Sequence, residues 1–270
     1  MPKLSVIIVC QDAAATIGPA CASVAWADEL IVVDSGSTDE TVEIVRRHTD
    51  RVIHEPWRGY TEQKQFAADL CSHDWVLILD SDEEVSEALA GWLKAWSAEE
   101  GEGELAGCDV ADMPRENYVM GRHVRAWGPD RQARLFHRGR AVWREDALHD
   151  TLDPSPGGRL AHLDGPLLHK RHSDGGFDDY FSGRRMDSRL MLVARDLDAR
   201  GKRAGLLDLV FRPPMAFLKF LLIKGGWRDG VFGLLIAQKA WVSVQLKYAA
   251  LWSLQRERRR RGAGPGADRG

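Results

Sequence analysis

Short runs of apolar residues alternate with longer mixed stretches over the first 80 positions. Four of these runs are rich in β-branched residues and predict strands at residues 4–10, 30–33, 52–53 and 75–79. The stretches between them favour helices at residues 13–26, 40–47 and 61–71. Buried strands that alternate with helices predict an α/β fold, with a mostly parallel sheet and helices on both of its faces.

Two of the predicted strands end in a carboxylate. Asp34 follows the strand at 30–33, and Asp80 follows the strand at 75–79. In open parallel sheets, ligands bind beyond the carboxyl ends of the strands. The sequence therefore predicts a ligand site at this edge of the sheet.

Composition and charge narrow the class of protein. The chain has 270 residues, of which 44% are hydrophobic, and this is enough for a large domain with a full core. Its net charge of -3 argues against nucleic acid as the main partner, because such partners require a dominant basic surface. The four cysteines form no C-x-x-C pair, and only three residues precede the first apolar run. These features favour a cytoplasmic protein without a disulfide framework.

The pattern changes after about residue 98. A Gly- and Glu-rich connection leads into short strands over residues 113–152, and a helix is predicted at about 177–199. An apolar, Trp-bearing segment follows. We therefore predict three parts, which are a domain at 1–204, an amphipathic helical segment at 205–255, and a basic disordered tail at 256–270.

The apolar segment contains one clear helical face. Its members recur at spacings of three and four, and they are Leu234, Ala237, Trp241, Val244, Tyr248 and Leu251. Lys239 and Lys247 make a membrane-spanning helix costly, so this face predicts a helix lying in the interface of the inner membrane. The Arg256–Arg261 run would then meet anionic lipid headgroups. The same spacing also fits packing on the first domain or on a second copy in a homodimer.

The residues Asp80-Ser81-Asp82 follow a buried strand and could hold a divalent cation. Carboxylate oxygens are the ligands that Mg²⁺ and Mn²⁺ prefer, and such a cation can neutralise a departing diphosphate. Taken alone, a D-x-D pattern also occurs in ordinary solvated turns.

Asp34 strengthens this interpretation, because its carboxylate could accept the N–H of a nucleotide base. Ser35 and Gly36 follow it and are small enough for a ligand to approach the backbone closely. The alternative is that Asp34 only caps a helix or stabilises a turn.

Several motifs, in this order and spacing, resemble those of the inverting family-2 glycosyltransferases, which have a GT-A fold. They are SVIIVCQDAAATI, VDSGSTDET and WVLILDSDEEV, within residues 5–85. The motifs GYTEQKQFA at 59–67, RLF at 134–136 and LHD at 148–150 are similar to those of the lipopolysaccharide core branch, whose best-known members add glucose to an inner-core heptose. The resemblance covers about residues 4–254. Ser35 and Gln65 stand where the branch usually has Asp and Asn, which leaves the donor sugar open.

The resemblance implies a role for each matching residue. Residues 1–204 would form the catalytic domain, and the donor would be a nucleotide-diphosphate sugar of the UDP-glucose type. Asp34 would bind the base, Asp80 would lie near the ribose and the cation, and Asp82 would coordinate the cation. Gln63 and Lys64 match the QK pair of the branch, near the nucleotide or its phosphates. The acceptor would be a cell-envelope glycolipid such as a lipopolysaccharide core.

Three further assignments stay open at this point. The catalytic base is expected in WREDALHD, where alignment with the branch favours Asp150 and the pair Glu145-Asp146 is the second candidate. His169 could add a ligand to the cation, although a lone histidine is also a common core or surface residue. Arg134 could face a phosphate or the acceptor, or could belong to a buried ion pair.

Other classes of protein fit the sequence less well. A sugar-nucleotide pyrophosphorylase would carry a Gly-rich, Arg-containing loop after the first strand, and a nicotinamide dehydrogenase would carry G-x-G-x-x-G between strand and helix; neither is present in the expected place. A membrane-anchored scaffold that binds sugar nucleotides without catalysis is the non-enzymatic alternative. The presence of Asp34, Asp80 and Asp82 argues against it, because a scaffold needs no metal site.

Overall fold

The computed structural model describes residues 1–99, 103–146, 149–172 and 183–262. The side chains at 145, 146, 149, 150, 171, 172, 183–189, 261 and 262 lie outside the described part. Two compact units divide the chain. The first contains the described residues of 1–123 and 128–172, and the second contains those of 124–127 and 183–262.

The first unit is built around twelve strands and four helices of the described chain. The strands are β1 (Leu4–Cys10), β2 (Glu29–Asp34), β3 (Val52–His54), β4 (Trp75–Asp80), β5 (Glu83–Val85), β6 (Val110–Val119), β7 (Arg122–His123), β8 (Arg131–His137), β9 (Ala141–Asp146), β10 (His149–Pro154), β11 (Leu160–His162) and β12 (Leu167–His172). The helices are α1 (Ile17–Ser23), α2 (Thr41–Val45), α3 (Tyr60–Asp69) and α4 (Glu87–Ala98).

The main sheet has the order β3-β2-β1-β4-β8-β6-β12-β5. Its first four strands are parallel, as the alternating pattern predicts. The register pairs Cys10 with Asp34 on one side of β1 and Val9 with Asp80 on the other. The predicted α/β class and the placement of both carboxylates at one edge are therefore confirmed.

The apolar side chains of β1 pack on both faces of the sheet. Leu4, Val6 and Ile8 lie in a core cluster with residues of α1 and α4, whereas Ile7 packs with Ala67 and Ala68 of α3. Burial on both faces explains why β1 is apolar at nearly every position rather than at alternate ones.

The second half of the sheet contains both parallel and antiparallel pairs. The strand β8 runs antiparallel to β4, and β12 pairs with both β6 and β5. In this register, His169 of β12 lies opposite Asn117 of β6 and opposite Glu83 of β5. Long-range strand pairing thus brings His169 next to Glu83, which lies beside the D-x-D turn although it is far from His169 along the chain.

The second unit contains α5 (Gly183–Ala199), α6 (Leu206–Leu218) and α7 (Val231–Gly262), with a π-helical turn at Lys219–Ile223. Ala194, Ala204 and Leu251 are buried together in its core. The helix α5 therefore packs with the helices that follow residue 204, so residues 183–199 belong to the second unit, whereas the predicted boundary lies at 204.

The end of α7 also differs from the expectation of a disordered tail from residue 256. The helix instead continues to Gly262, and residues 263–270 lie outside the described part of the chain. In this region Arg258 Nη2 donates to Asp198 Oδ2 of α5 at 2.5 Å, and Gln255 Nε2 donates to the backbone oxygen of Lys202 at 2.8 Å. Within the described part of the chain, no helix is both long and apolar enough to cross a bilayer.

Candidate functional site

The carboxylate of Asp34 organises the loop that follows β2. It is almost fully buried, and it accepts hydrogen bonds from the amides of Gly36 and Ser37 at 3.1 Å and from the Ser37 hydroxyl at 2.5 Å. Gly36 has a φ of +98°, in the left-handed region that favours glycine, so this tight turn depends on that residue. Asp34 is thus a turn-stabilising residue at the predicted ligand edge.

Gln63 of α3 ties this loop to the segment before α3. Its amide Nε2 donates to Ser35 Oγ at 3.2 Å and to the Glu55 carbonyl at 3.0 Å, and its Oε1 accepts from the Arg58 amide at 3.2 Å. These contacts use the whole buried amide group. Gln63 therefore positions Ser35 and the loop that follows β2.

Asp80, at the end of β4, forms ion pairs with two buried cations. Lys64 Nζ lies 3.2 Å from its Oδ1, and Arg134 Nη2 lies 2.5 Å from its Oδ2. Burial by itself would raise the pKa of Asp80, but the charges of Arg134 and Lys64 outweigh it and hold that pKa well below its usual range. Asp80 is therefore ionised at neutral pH. Both carboxylate oxygens of Asp80 therefore face cations of the protein, and its expected roles near the ribose and at the metal stay predictions.

Glu83 was not singled out in the sequence, yet it lies at the centre of the same network. Its side chain is fully buried and accepts from Arg134 at 2.7 Å and from Arg115 at 3.2 Å. Arg115 also donates to Asp130 at 2.8 Å. Arg134 thus takes part in buried ion pairs, which was one of its two expected roles. The acidic run after β4 was visible in the sequence, but burial of Glu83 follows from the pairing of β5 with β12.

Asp82 and His169 approach each other across the paired strands. The imidazole Nε2 lies 3.5 Å from Asp82 Oδ2, while its Nδ1 lies 2.8 Å from the Oδ1 of Asn117. Asn117 is buried, and its Nδ2 donates to Asp130 at 3.3 Å, which leaves its carbonyl oxygen to face the histidine. Nδ1 of His169 therefore donates to the oxygen of Asn117, and Nε2 is the nitrogen that faces Asp82.

This pair fits a divalent cation in the chemistry of its donors. A carboxylate oxygen and an imidazole nitrogen held by a second hydrogen bond are a common partial ligand set. Among the described residues, no three His, Cys, Asp or Glu side chains are grouped closely enough to hold a metal ion. A cation at Asp82 and His169 would thus need further ligands from a substrate such as a diphosphate.

The cysteines take no part in this chemistry. All four are free and buried. Burial, with a further contribution from the charge of Asp34, raises the pKa of the Cys10 thiol to about 12, so it is not a nucleophile at neutral pH.

The structure gathers the predicted residues into three adjoining groups. Asp34, Ser35, Gly36 and Gln63 form the first, Lys64, Asp80 and Arg134 the second, and Asp82 with His169 the third. For Glu145, Asp146 and Asp150, only the backbone lies within the described part of the chain. It forms the β9–β10 hairpin, in which Glu145 is paired with Asp150 and Asp146 with His149.

Comparison with known proteins identifies relatives of the chain. The family model described as glycosyl transferase family 2 matches residues 5–163. A lipopolysaccharide core biosynthesis glycosyltransferase, LpsC of Rhizobium meliloti, is 31% identical over 93% of both chains. An uncharacterized glycosyltransferase of Rickettsia felis is 49% identical over 90 residues, which cover 33% of this chain and 32% of the relative.

Solved structures of similar shape were also found, with lower similarity. Staphylococcus aureus TarS 1-349 is 14% identical with a TM-score of 0.44, over 94% of this chain and 92% of the other. Glucosyl-3-phosphoglycerate synthase of Mycobacterium tuberculosis, solved with Mn²⁺ and UDP-glucose, is 18% identical with a TM-score of 0.45, over 76% and 81%.

Proposed function

Because the chain belongs to glycosyl transferase family 2, as the match of its family model and the LpsC relative show, we propose that it transfers a hexose with inversion from a nucleotide-diphosphate sugar of the UDP-glucose type. The proposed acceptor is a hydroxyl group of a lipopolysaccharide core or a similar cell-envelope glycolipid. The observation that carries the proposal is the meeting of the Asp34 loop, Asp80 and Asp82 at one edge of the parallel strands.

The nucleotide occupies the Asp34 side of this edge. The loop of Asp34, Ser35 and Gly36 receives the base, and Gln63 holds that loop in place. Asp80 faces the ribose, since 39% of its side chain remains accessible although both oxygens are paired. In this arrangement Lys64 and Arg134 act mainly by fixing Asp80.

Asp82 and His169 would hold Mg²⁺ or Mn²⁺, with further ligands from the donor diphosphate. When it is bound, the cation supplies positive charge that offsets the charge of the leaving nucleoside diphosphate. The chain contributes one carboxylate oxygen and one imidazole nitrogen, at an atom separation of 3.5 Å. Asn117 keeps the imidazole in the tautomer that binding requires.

Asp150 accepts the proton of the acceptor hydroxyl. The hydroxyl oxygen attacks the anomeric carbon from the face opposite the diphosphate, so the bond from that carbon to the diphosphate breaks as the new bond forms. The resemblance to the lipopolysaccharide core branch favours Asp150 over Asp146 as the base, and the backbone of the β9–β10 hairpin pairs Asp150 with Glu145.

The acceptor assignment comes from the named relative and from the expected cellular setting. LpsC is described as a lipopolysaccharide core biosynthesis enzyme, and it matches this chain along nearly its whole length. A glycolipid acceptor is held in a membrane, so the enzyme works in the cytoplasm at the inner face of the cytoplasmic membrane. Nucleic acid is not a partner in this proposal.

One set of variants tests the proposal with UDP-glucose and Mn²⁺ as probes. Wild-type protein should bind UDP in calorimetry more tightly with Mn²⁺ than with EDTA, and should transfer glucose to a truncated lipopolysaccharide core. Asp82→Ala should abolish transfer and the Mn²⁺ effect on UDP binding, whereas Glu84→Ala, two residues away, should keep both. Transfer by Asp82→Ala that is insensitive to EDTA would refute the metal assignment.

The same assay identifies the base. Asp150→Asn should lower the transfer rate by about 10² to 10⁴ while UDP binding stays unchanged, because only the proton acceptor is lost. Asp146→Asn is the matched variant and should remain active. An inactive Asp146→Asn protein beside an active Asp150→Asn protein would reverse the assignment, and a wild-type protein that binds UDP but never transfers would support the scaffold alternative.

A further inference from the structure

The helix α6 is apolar around most of its circumference, although half of it faces solvent. Pro213 is buried, and Leu209, Ala216 and Phe217 are half-buried on the inner side. On the outer side lie Leu207, Val210, Phe211, Met215 and Leu218, and Leu222 follows in the π-helical turn; we call these six residues the α6 ridge. Their exposed fractions range from 49% to 71%.

This exposure is unusual for a surface helix, whose outer face is normally polar. The two charged residues within α6 do not interrupt the ridge, because Asp208 and Arg212 pair with each other at 2.5 Å and Arg212 stacks over Tyr248. A contiguous apolar surface of this kind marks a site where something else is bound.

The charges that flank the α6 ridge indicate what binds there. Two basic residues, Lys202 and Arg203, precede the ridge in the sequence. Three more, Lys219, Lys224 and Arg228, follow α6. Between residues 202 and 228 the only acidic residue is Asp208, which is already paired with Arg212. Over residues 175–270 the sequence has nineteen Lys and Arg against nine Asp and Glu. The partner should therefore combine an apolar phase with negative charge.

We infer that the α6 ridge lies in the interfacial layer of an anionic membrane, with α6 parallel to the surface. This inference rests on the proposed function, since a membrane-held acceptor gives the enzyme a reason to be there. Trp227 is exposed, and the guanidinium carbon of Arg228 lies 5.1 Å from the centroid of its ring. An amphipathic aromatic ring of this kind is typical of the headgroup layer of a membrane. A second copy of the chain is disfavoured as the partner, because two facing ridges would bring their flanking cations together.

This location lies within the segment at 205–255 that the sequence predicts to associate with the membrane, but on α6 rather than on the apolar face of α7. Part of that face is buried, because Ala237 and Leu251 are fully buried and Tyr248 is half-buried, whereas Leu234 and Trp241 keep exposed fractions of 39% and 38%. Trp241 contacts Phe217 of α6, with their ring centroids 6.2 Å apart. Apolar residues at helical spacing are thus partly packed into the core in α7 and remain exposed in the α6 ridge.

Flotation of the full-length protein with vesicles tests the inference. Vesicles of phosphatidylglycerol and phosphatidylethanolamine should carry wild-type protein upward, and pure phosphatidylcholine should carry much less of it. The double variant Phe211→Glu/Leu218→Glu should lower the partition coefficient at least about tenfold, because apolar burial is lost at two sites. Lys219→Gln/Arg228→Gln should reduce binding to anionic vesicles only, and high salt should do the same to wild type.

Two controls separate this inference from its alternatives. Leu192→Glu changes a residue of α5 with an exposed fraction of 56%, matched to the 57% of Phe211, and should float like wild type. Trp241→Glu/Trp252→Glu tests the α7 face and should have a smaller effect than the ridge variant. Equal flotation of the ridge variant and wild type would overturn the inference. So would a wild-type dimer in sedimentation that becomes monomeric in the ridge variant without any binding to vesicles.

Calorimetric UDP binding by the same variants distinguishes this failure from failure of the proposed function. Ridge variants should bind UDP and Mn²⁺ like wild type, since the substitutions lie on solvent-facing positions of the second unit. A protein that floats through the α6 ridge yet binds no UDP would refute the proposed function and leave the membrane inference standing.

Discussion

Asn117 determines which nitrogen of His169 faces Asp82. Its amide is oriented by the donation of Nδ2 to Asp130, so its oxygen accepts from the imidazole at 2.8 Å. Burial by itself would raise the pKa of Asp130. The charge of Arg115 and hydrogen bonds from Gln132 and Asn117 outweigh this effect and hold that pKa below its usual value. Asp130 is therefore a stable anion that fixes the whole arrangement.

Replacing Asn117 by Ala should weaken Mn²⁺ binding in the presence of UDP by about 10- to 100-fold, the usual effect of losing a hydrogen bond that orients a metal-binding histidine. Electron paramagnetic resonance of free Mn²⁺ measures this affinity directly. Gln132→Ala is the matched control, because Gln132 donates to the same Asp130 at 2.7 Å without contacting His169. Equal losses in both variants would mean that Asp130, not the imidazole orientation, is what matters.

At the level of secondary structure, the short strand β5 separates two adjacent carboxylates into different environments. Glu83 is fully buried between Arg115 and Arg134, while Glu84 forms a partly exposed pair with Lys170 at 2.8 Å. Successive residues of a strand point to opposite faces, and this alternation produces the contrast. The three-residue strand thus carries the central anion of the site.

Glu83→Gln should lower the free energy of unfolding by about 3–5 kcal/mol, because it leaves the buried guanidinium of Arg134 with less compensating charge. Glu84→Gln should cost only about 0–1 kcal/mol, as is usual for a pair near the surface. Urea unfolding followed by tryptophan fluorescence compares the two variants. If the two costs are equal, then Asp80 and Asp130 alone neutralise the two arginines.

At the scale of the whole molecule, the second unit, which we also call the helical unit, has a small core of its own. Leu251 of α7 is fully buried with Ala194 of α5 and Ala204. Because α5 depends on this core, a chain cut at residue 204 would remove the helix on which α5 packs. The expected boundary at 204 is thus a poor place to divide the protein.

Leu251→Ala should destabilise the helical unit by about 2–5 kcal/mol, the usual cost of such a cavity. Hydrogen exchange should then accelerate in both α5 and α7. Trp252→Ala, at the adjacent exposed position, should change stability by no more than about 0.5 kcal/mol. Faster exchange in α7 with unchanged exchange in α5 would show that α5 does not rely on this core.

The sequence by itself determined the parallel half of the first unit and the edge where ligands bind. Strands β1, β2 and β4 are read from continuous apolar runs, since burial on both faces leaves few polar positions. The places of Asp34 and Asp80 follow from those runs, because parallel strands end at one edge. Gln63, Lys64, Arg134 and His169 were selected by motif and spacing, and the structure brings them to the same edge.

Only the tertiary structure decided which charged groups meet and which apolar faces stay exposed. Glu83, Arg115 and Asn117 acquire their partners through the pairing of β12 with β5 and β6, and local patterns do not encode contacts between residues so far apart. Helical periodicity does not predict whether an apolar face will be buried. Apolar residues recur at the same spacing where they pack inward, as around Leu251 of α7, and where they remain exposed, as in the α6 ridge. Whether an apolar face is buried depends on which other element lies against it, and the path of the whole chain determines which element that is.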